Sequence, residues 1–270
     1  MAETKGYEAM TKANKIIYDL SGLPANVRKD IKRNYASLFS RFPDKLLSVS
    51  ADAKTKKGQK YGFLSGIMYL TPALGSGEQF CPMSYLAQCE DACLNLAGRG
   101  AMNINQMSRL RKALFFNQYR EQFKALLLKE VKRVIRMAAR MGLIPLFRFN
   151  GTSDIRWERV FPSLFTMFPD VQFYDYTKIP NRKSVPANYD LTFSYSGVPA
   201  YRWAIDRAKA QGMRIATVFR SRDVIPETFD GLDCIDGDDS DVRHLDPQNV
   251  IVALYAKGPA KHDQTGFVID

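Results

Sequence analysis

The sequence predicts an α/β fold: a partial or complete parallel β/α barrel with an N-terminal helical extension. Three observations lead there. From about residue 61, short apolar runs alternate with longer amphipathic stretches, the pattern of βαβ units. Polar clusters follow five or six of those runs. This favours a barrel, whose C-terminal strand ends converge on one site, over an open sheet with a single switch point. No Gly-x-Gly-x-x-Gly follows a strand and no Walker loop is present, so dinucleotide and P-loop folds are not supported.

The elements follow in order. Residues 1–60 read as a basic helical extension. Helices are expected over 9–20 and 27–42, separated by Ser21-Gly22-Leu23-Pro24. Residues 1–58 carry 12 basic against 6 acidic side chains. The stretch 54–60 reads as a polar, basic loop. The barrel-like domain spans 61–270. Its first strand is expected over 66–71, followed by a loop, 72–100, rich in glycine and cysteine. Across 105–141, Leu110, Leu114, Phe123, Leu127, Val131 and Val134 recur at three- and four-residue steps, predicting one long amphipathic helix or two consecutive ones that stop at Gly142. The run 143–149 is a strand if Pro145 lies near its start. A helix over 154–168, strands over 171–176 and 189–195, a helix over 199–211, and strands over 213–219, 232–235 and 249–255 complete the alternation.

Composition bounds the function. The 270 residues are 46% hydrophobic and 25% charged, ordinary for a globular chain. No apolar run approaches 18 residues, so no membrane-spanning helix is expected. Residues 1–6 lack an apolar signal core, and a cytoplasmic protein is expected. The formal net charge of +11 favours an anionic partner, nucleic acid or a host protein. Residues 105–140 hold 10 basic and 2 acidic side chains. Arg109, Lys112, Arg120, Lys124, Lys132, Arg133, Arg136 and Arg140 are candidates for a phosphate-binding stripe, the alternative being a solvated outer helix. Oligomeric state is not legible. With only two histidines, His244 and His262, a His-rich metal site and most His-based triads are excluded. Gly-x-Ser-x-Gly is absent, which disfavours a serine hydrolase.

The strongest chemical signal is Cys81, Cys89 and Cys93, three of four cysteines within 13 residues. Thiolates at this density bind a [4Fe–4S] cluster with one iron open, or zinc, or are incidental buried thiols. Paired Cys-x-x-Cys knuckles, the usual zinc form, are missing. Cys234 or a histidine is the candidate fourth ligand. Gly75, Gly77, Gly98 and Gly100 let backbone N–H groups approach an anion. Asp236, Asp238, Asp239, Asp241 and Asp246 with His244 form an acidic cluster, either a Mg²⁺ or Ca²⁺ site or partners of Arg220, Arg222 and Arg243. Asp175, Tyr176 and Lys178 at a strand end suit ligand hydroxyls or a carboxylate, or structural hydrogen bonds.

A Cys-x7-Cys-x3-Cys triad directly after a first strand, followed by a long helix, resembles the radical S-adenosylmethionine enzymes, although their usual Cys-x3-Cys-x2-Cys is shorter. The resemblance implies a partial six-stranded barrel and a [4Fe–4S] cluster on Cys81, Cys89 and Cys93, whose open iron chelates S-adenosylmethionine. It also implies that the loop after the second strand, Asn150-Gly151-Thr152-Ser153-Asp154, contacts that ligand. Asp154 would accept its ammonium and Asn150 or Ser153 would serve its carboxylate, unless Asp154 caps the helix that follows. A second set of motifs more closely resembles an uncharacterised family of bacteriophage-encoded proteins. It comprises the cysteine triad, Leu96-Ala97-Gly98-Arg99-Gly100, residues 149–158, residues 173–178 and residues 236–243, and it covers roughly 61–268. That likeness implies the host cell cytoplasm as location. The two functional expectations are an S-adenosylmethionine-cleaving enzyme and a non-catalytic iron–sulfur protein, structural or redox-sensing, that binds nucleic acid or a host protein.

Overall fold

The computed structural model describes residues 18–49 and 58–270. Most of the helix expected over 9–20 and most of the basic loop 54–60 lie outside the described residues. The described part of the N-terminal extension forms α1 (Ala25–Asn34), α2 (Ala36–Phe39) and a two-residue strand β1 (Leu47–Ser48). The single helix expected over 27–42 is therefore broken. Tyr35, at φ −130°, leaves helical geometry between the two pieces.

The remaining chain runs β2 (Phe63–Met68), α3 (Asn103–Gln118), α4 (Arg120–Arg140), β3 (Ile144–Arg148), α5 (Trp157–Val160), α6 (Ser163–Met167) and β4 (Gln172–Thr177). Then come β5 (Tyr189–Ser194), α7 (Arg202–Ala210), β6 (Ile215–Phe219), β7 (Thr228–Phe229), β8 (Leu232–Asp236) and β9 (Ile251–Tyr255). All seven expected strands are present within a few residues of their expected bounds. The helix expected over 154–168 is instead two single turns. Pro162 lacks an amide proton and separates them.

The strands form one sheet ordered β1-β2-β3-β4-β5-β6-β9-β8-β7. From β2 through β6 the order is sequential and every pairing is parallel, as are β6 with β9 and β9 with β8. The sheet does not close, which corrects the expectation of a complete barrel. Its outer edges are taken by short antiparallel strands, β1 on β2 and β7 on β8, rather than by each other. Pro145 sits at the second position of β3, and pairing of β3 with β4 begins only at Leu146. The missing amide proton therefore falls at the strand start, where it is tolerated.

Strand alternation sorts the two faces of the sheet. Leu64, Met68, Phe147, Phe149, Phe173 and Leu191 face the helices and pack with α3, α4 and Trp157 into the main core. Phe63, Leu146 and Tyr174 pack with Val242 in a separate, smaller cluster. The N-terminal extension joins the main core through Tyr18, Leu23, Ile31, Phe39, Phe42 and Leu46. One polar contact fixes that junction. The buried Glu130 carboxylate on α4 accepts the amide protons of Leu46 and Leu47, both at 2.7 Å, and pairs with Arg133 at 3.2 Å.

Removing that acceptor leaves two buried amides without partners, at about 1–3 kcal/mol each. Glu130→Ala should therefore lower the unfolding free energy by about 2–6 kcal/mol in urea titrations. The exposed neighbour Lys132→Ala should change it by less than about 0.5 kcal/mol.

Candidate functional site

A cavity of about 420 Å³ opens at the C-terminal ends of β3, β4, β5, β6, β8 and β9. The polar ends of β3, β4, β5 and β8 thus share one site, although the sheet is open; Thr71 after β2 and residues 220–223 after β6 do not line it. Its first wall is the loop after β2. Gly151, just past β3, sits so close to that loop that a Cβ would lie 2.5 Å from the Met68 carbonyl oxygen and 2.6 Å from the Tyr69 ring. Only glycine fits there. The Gly151 amide donates to the Met68 carbonyl at 2.9 Å, the Thr152 hydroxyl donates to the Leu70 carbonyl at 2.6 Å, and the Asp154 amide donates to the Phe80 carbonyl at 2.8 Å. These bonds seat the cysteine loop against the loop after β3.

Cys81, Cys89 and Cys93 all line this cavity. The Cys81 thiol reaches the Thr152 carbonyl at 3.9 Å, and the Cys89 thiol reaches the Ser84 carbonyl at 3.8 Å. Cys93 Sγ accepts the Asn95 amide at 3.4 Å. Asn95 is itself held by Gln106 and Arg109. Burial pushes the Cys81 thiol up to about 12 and raises Cys89 and Cys93 as well. Such thiols stay protonated at neutral pH until a cation displaces the protons. Among the described residues, no three His, Cys, Asp or Glu side chains are drawn together tightly enough to hold one metal ion. Cys234 lies elsewhere. It is on β8 opposite Ile251, packed against the cluster that holds Phe219 and Ile251, and does not line the cavity.

Asn150, Gly151, Thr152, Ser153 and Asp154 line the cavity as well. The Asn150 side chain is spent on its own turn. Its Oδ1 accepts from the Ser153 hydroxyl, the Ile155 amide and the Trp157 indole, each at 3.0 Å, and its Nδ2 donates to the Ile155 carbonyl at 2.9 Å. Asp154 caps no helix: α5 starts after Arg156 and has no side-chain cap. One Asp154 oxygen accepts the Lys178 amide at 2.7 Å. The other, Oδ1, is buried without a hydrogen-bond donor and faces Arg182 Nη1 at 3.9 Å. Burial raises the Asp154 carboxyl above its ordinary value.

Of the three residues expected at the end of β4, Tyr176 and Lys178 line the cavity, whereas Asp175 does not. Alternation turns Asp175 to the helix face. There it accepts the Asn150 amide at 2.7 Å and the Tyr189 hydroxyl at 2.8 Å. Its role is to hold the β3 turn. Lys178 is buried, which lowers its ammonium pKa, against the pull of the three cysteines and Asp154. Its Nζ donates to the Tyr195 carbonyl at 2.9 Å and stands 4.6 Å over the Phe267 ring. It is the cation nearest in chemistry to the thiols.

The acidic segment is dispersed among basic partners. Asp236 pairs with Arg222 at 3.9 Å, Asp241 with Arg148 at 3.2 Å, Asp246 with Arg243 at 3.0 Å, and Asp238 with Lys257. Asp239 accepts the Tyr61 hydroxyl. His244 packs against the Phe63 ring. The expected pairing partner Arg220 binds Asp270 instead, at 2.7 Å. Sequence reasoning missed Arg148, Lys257 and Phe267 as lining residues. For Arg148 a signal existed: a lone charge inside the apolar run 143–149 has to face something polar. Lys257 and Phe267 carry no such signal, because they reach the site only through the path of the C-terminal segment.

The Asp175 contact has a pH signature. Burial pushes its carboxyl from 3.8 up to about 7. Between those values the native state keeps a proton that the unfolded state has lost. The protonated group's stability is thus fully present below about pH 4 and is lost as pH rises toward 7. Asp175→Asn keeps the shape and removes the titration. The wild-type stability relative to this variant should fall by a few kcal/mol from pH 4 to pH 7 in urea titrations, and a constant difference would contradict the assignment.

No curated protein and no solved structure matches this chain. A family model does, over residues 37–270, from within the described part of the extension to the last residue; the family is described as gene product 88. It agrees with the phage-type family whose motifs residues 61–268 resemble, and the chain belongs to the gene product 88 family.

Proposed function

We propose that this protein holds a [4Fe–4S] cluster on Cys81, Cys89 and Cys93 and binds S-adenosylmethionine beside it, as an enzyme that cleaves that ligand reductively. The observation that carries this reading is the shared cavity. Cys81, Cys89, Cys93 and Asp154 line one space at the ends of parallel strands, and Cys234 stands outside it. A cubane cluster carries its thiolates on the corners of a cage, so its ligands stand further apart than those of a single ion. Three cysteines around a common cavity suit that geometry better than they suit zinc. The parallel stretch from β2 through β6, continued by β9 and β8, is read here as a partial barrel.

The residues then divide the work. When bound, such a cluster supplies the electron that breaks a carbon–sulfur bond of the sulfonium ligand. The protein's part is to bind, orient and shield. Asp154 would accept the ligand's ammonium. Burial raises its carboxyl against the pull of the Lys178 amide and Arg182, and a further cation beside it would favour the carboxylate. Lys178 Nζ opposes the negative charge that three thiolates bring into a buried space. Ala92, Leu94 and Phe267 add apolar wall, and keeping water out strengthens every charge interaction inside. The Asn150 side chain builds the turn, so the ligand's carboxylate would fall to groups other than Asn150.

Protein made anaerobically should carry about four irons and four sulfides per chain. Alanine at Cys81, Cys89 or Cys93 should abolish most of that content, while Cys234→Ala should keep it. Stoichiometric zinc without sulfide would overturn the reading. Calorimetry on cluster-loaded protein should detect S-adenosylmethionine binding. Asp154→Asn should weaken it about 10- to 100-fold, the worth of one charge-assisted hydrogen bond. A loaded cluster that binds no S-adenosylmethionine would leave a structural or redox-sensing cluster in its place.

A further inference from the structure

The basic residues of 105–140 do not form one stripe. Arg109 is turned inward onto Asn95 and stacks over the Tyr69 ring. Lys112 is buried and donates to the Leu46 carbonyl at 3.0 Å. Arg120 lies 3.5 Å over the Phe116 ring, and Lys124 pairs with Glu121 at 3.0 Å. These four serve the fold. The second half of α4 differs: Lys129, Lys132, Arg136 and Arg140 are all exposed. At 100° and 1.5 Å per residue they fall within an arc of about 80° and span roughly 16 Å. The half-exposed Arg133 borders the same arc and is tied to Glu130.

Lys129 has a partner of its own, and among the acids of α3 and α4 none interrupts the row Lys132, Arg136 and Arg140. Of the two acids on α4, Glu121 sits at the opposite end and Glu130 is buried, while α3 carries none. The helix dipole explains a cation in the last turn, hence Arg140, but its effect fades within that turn and does not reach Lys129 or Lys132. Three like charges along one face repel one another, and the repulsion is relieved by a linear polyanion. A nucleic-acid strand offers one charge per 3.4 Å of duplex axis, so the roughly 12 Å from Lys132 to Arg140 faces about three or four phosphates. The flanking surface of α4 from 129 to 140 exposes no large apolar side chain of the kind an interfacial membrane helix presents.

We propose that the exposed row Lys132, Arg136 and Arg140 on α4 is a track for the phosphodiester backbone of nucleic acid, read without base contacts. The track is independent of the cysteine cavity. Its recognition is electrostatic, so affinity should be set by salt rather than by sequence.

Fluorescence anisotropy with labelled mixed-sequence 30-mers, duplex and single-stranded, from 50 to 200 mM KCl tests this on the full chain. Wild type should bind with a slope of log affinity against log salt of about −3 on duplex, at roughly −0.9 per phosphate neutralised. Lys132→Gln/Arg136→Gln/Arg140→Gln should reduce the slope by about 2 to 3 and weaken binding at 50 mM at least tenfold. A second triple variant, Arg159→Gln/Lys183→Gln/Arg207→Gln, removes equal charge from exposed positions elsewhere and should bind like wild type. Equal losses in both variants would mean diffuse charge and would overturn the track. So would absence of salt-dependent binding by wild type, or binding to phosphatidylserine vesicles without binding to either oligonucleotide. Circular dichroism melts of both variants confirm that exposed substitutions left the fold intact.

Discussion

The structure turns on the contact between Gly151 and the loop that leaves β2. A side chain at 151 would collide with the Met68 carbonyl, so the two loops meet backbone to backbone. Everything on that side of the cavity follows from this approach. The Gly151, Thr152 and Asp154 bonds to Met68, Leu70 and Phe80 can form only at this distance. They in turn fix where Cys81 begins. Beneath them, Asn150 and Asp175 lock the turn from the core side, with Tyr189 as the third member. A long irregular segment is thereby tied to a rigid strand end, the general way a site gains precision from a scaffold.

Electrostatics in this fold are organised by burial more than by number. Arg148, Arg214 and Arg243 are nearly inaccessible, and each is answered by an aspartate: Asp241, Asp190 and Asp246. The segment 236–246, which reads as a metal-binding run, supplies two of those answers. Buried charges left unpaired are far more costly than exposed ones. The acids are therefore committed to the interior cations before any ion could claim them. The cysteine cavity is answered less completely. Burial raises its three thiols, while Asp154 is already shared between the Lys178 amide and Arg182. Positive charge added near the sulfurs would favour their thiolates.

Much of this was legible in the sequence, and the reasons are specific. Buried parallel strands read as apolar runs, and all seven were placed. Two-residue β1 and β7 left no periodicity to find. The clustering of Cys81, Cys89 and Cys93 on one loop is local information, so the loop could be chosen as a site. Whether Asp175 or its neighbours face the cavity depends on strand register and turn geometry. The period of two separates Asp175 from Tyr176, but only the position of the helix layer says which is inside. The closed barrel failed for a similar reason. Closure depends on which strands occupy the edges, and edge strands this short are silent in sequence. Across residues 105–140 the count of cations was right while their directions were not, because Arg109 and Lys112 on α3 turn to the carbonyls of Asn95 and Leu46 outside the helix.

The cavity also depends on the far end of the chain. Residues 69–102 hold no strand and no α-helix, only two short 3-10 turns, Leu94–Leu96 and Gly98–Ala101. An irregular segment of that length needs external support to keep one conformation. The C-terminal residues provide it. Thr265 donates to the Gln88 carbonyl at 3.1 Å, a Cβ at Gly258 would lie 2.7 Å from the Ala97 methyl, and Ala260 and Phe267 pack with Ala92. The last residues are anchored in turn, since the Ile269 amide donates to the Val218 carbonyl at 2.9 Å beside β6. The cysteines are thus clamped between the end of β3 and the end of the chain, with the sheet as the common base. A site assembled from such distant segments exists only in the folded state, so any ligand that bridges its walls adds its binding energy to folding stability. The family match runs through this tail, which is a wall of the site rather than an appendage.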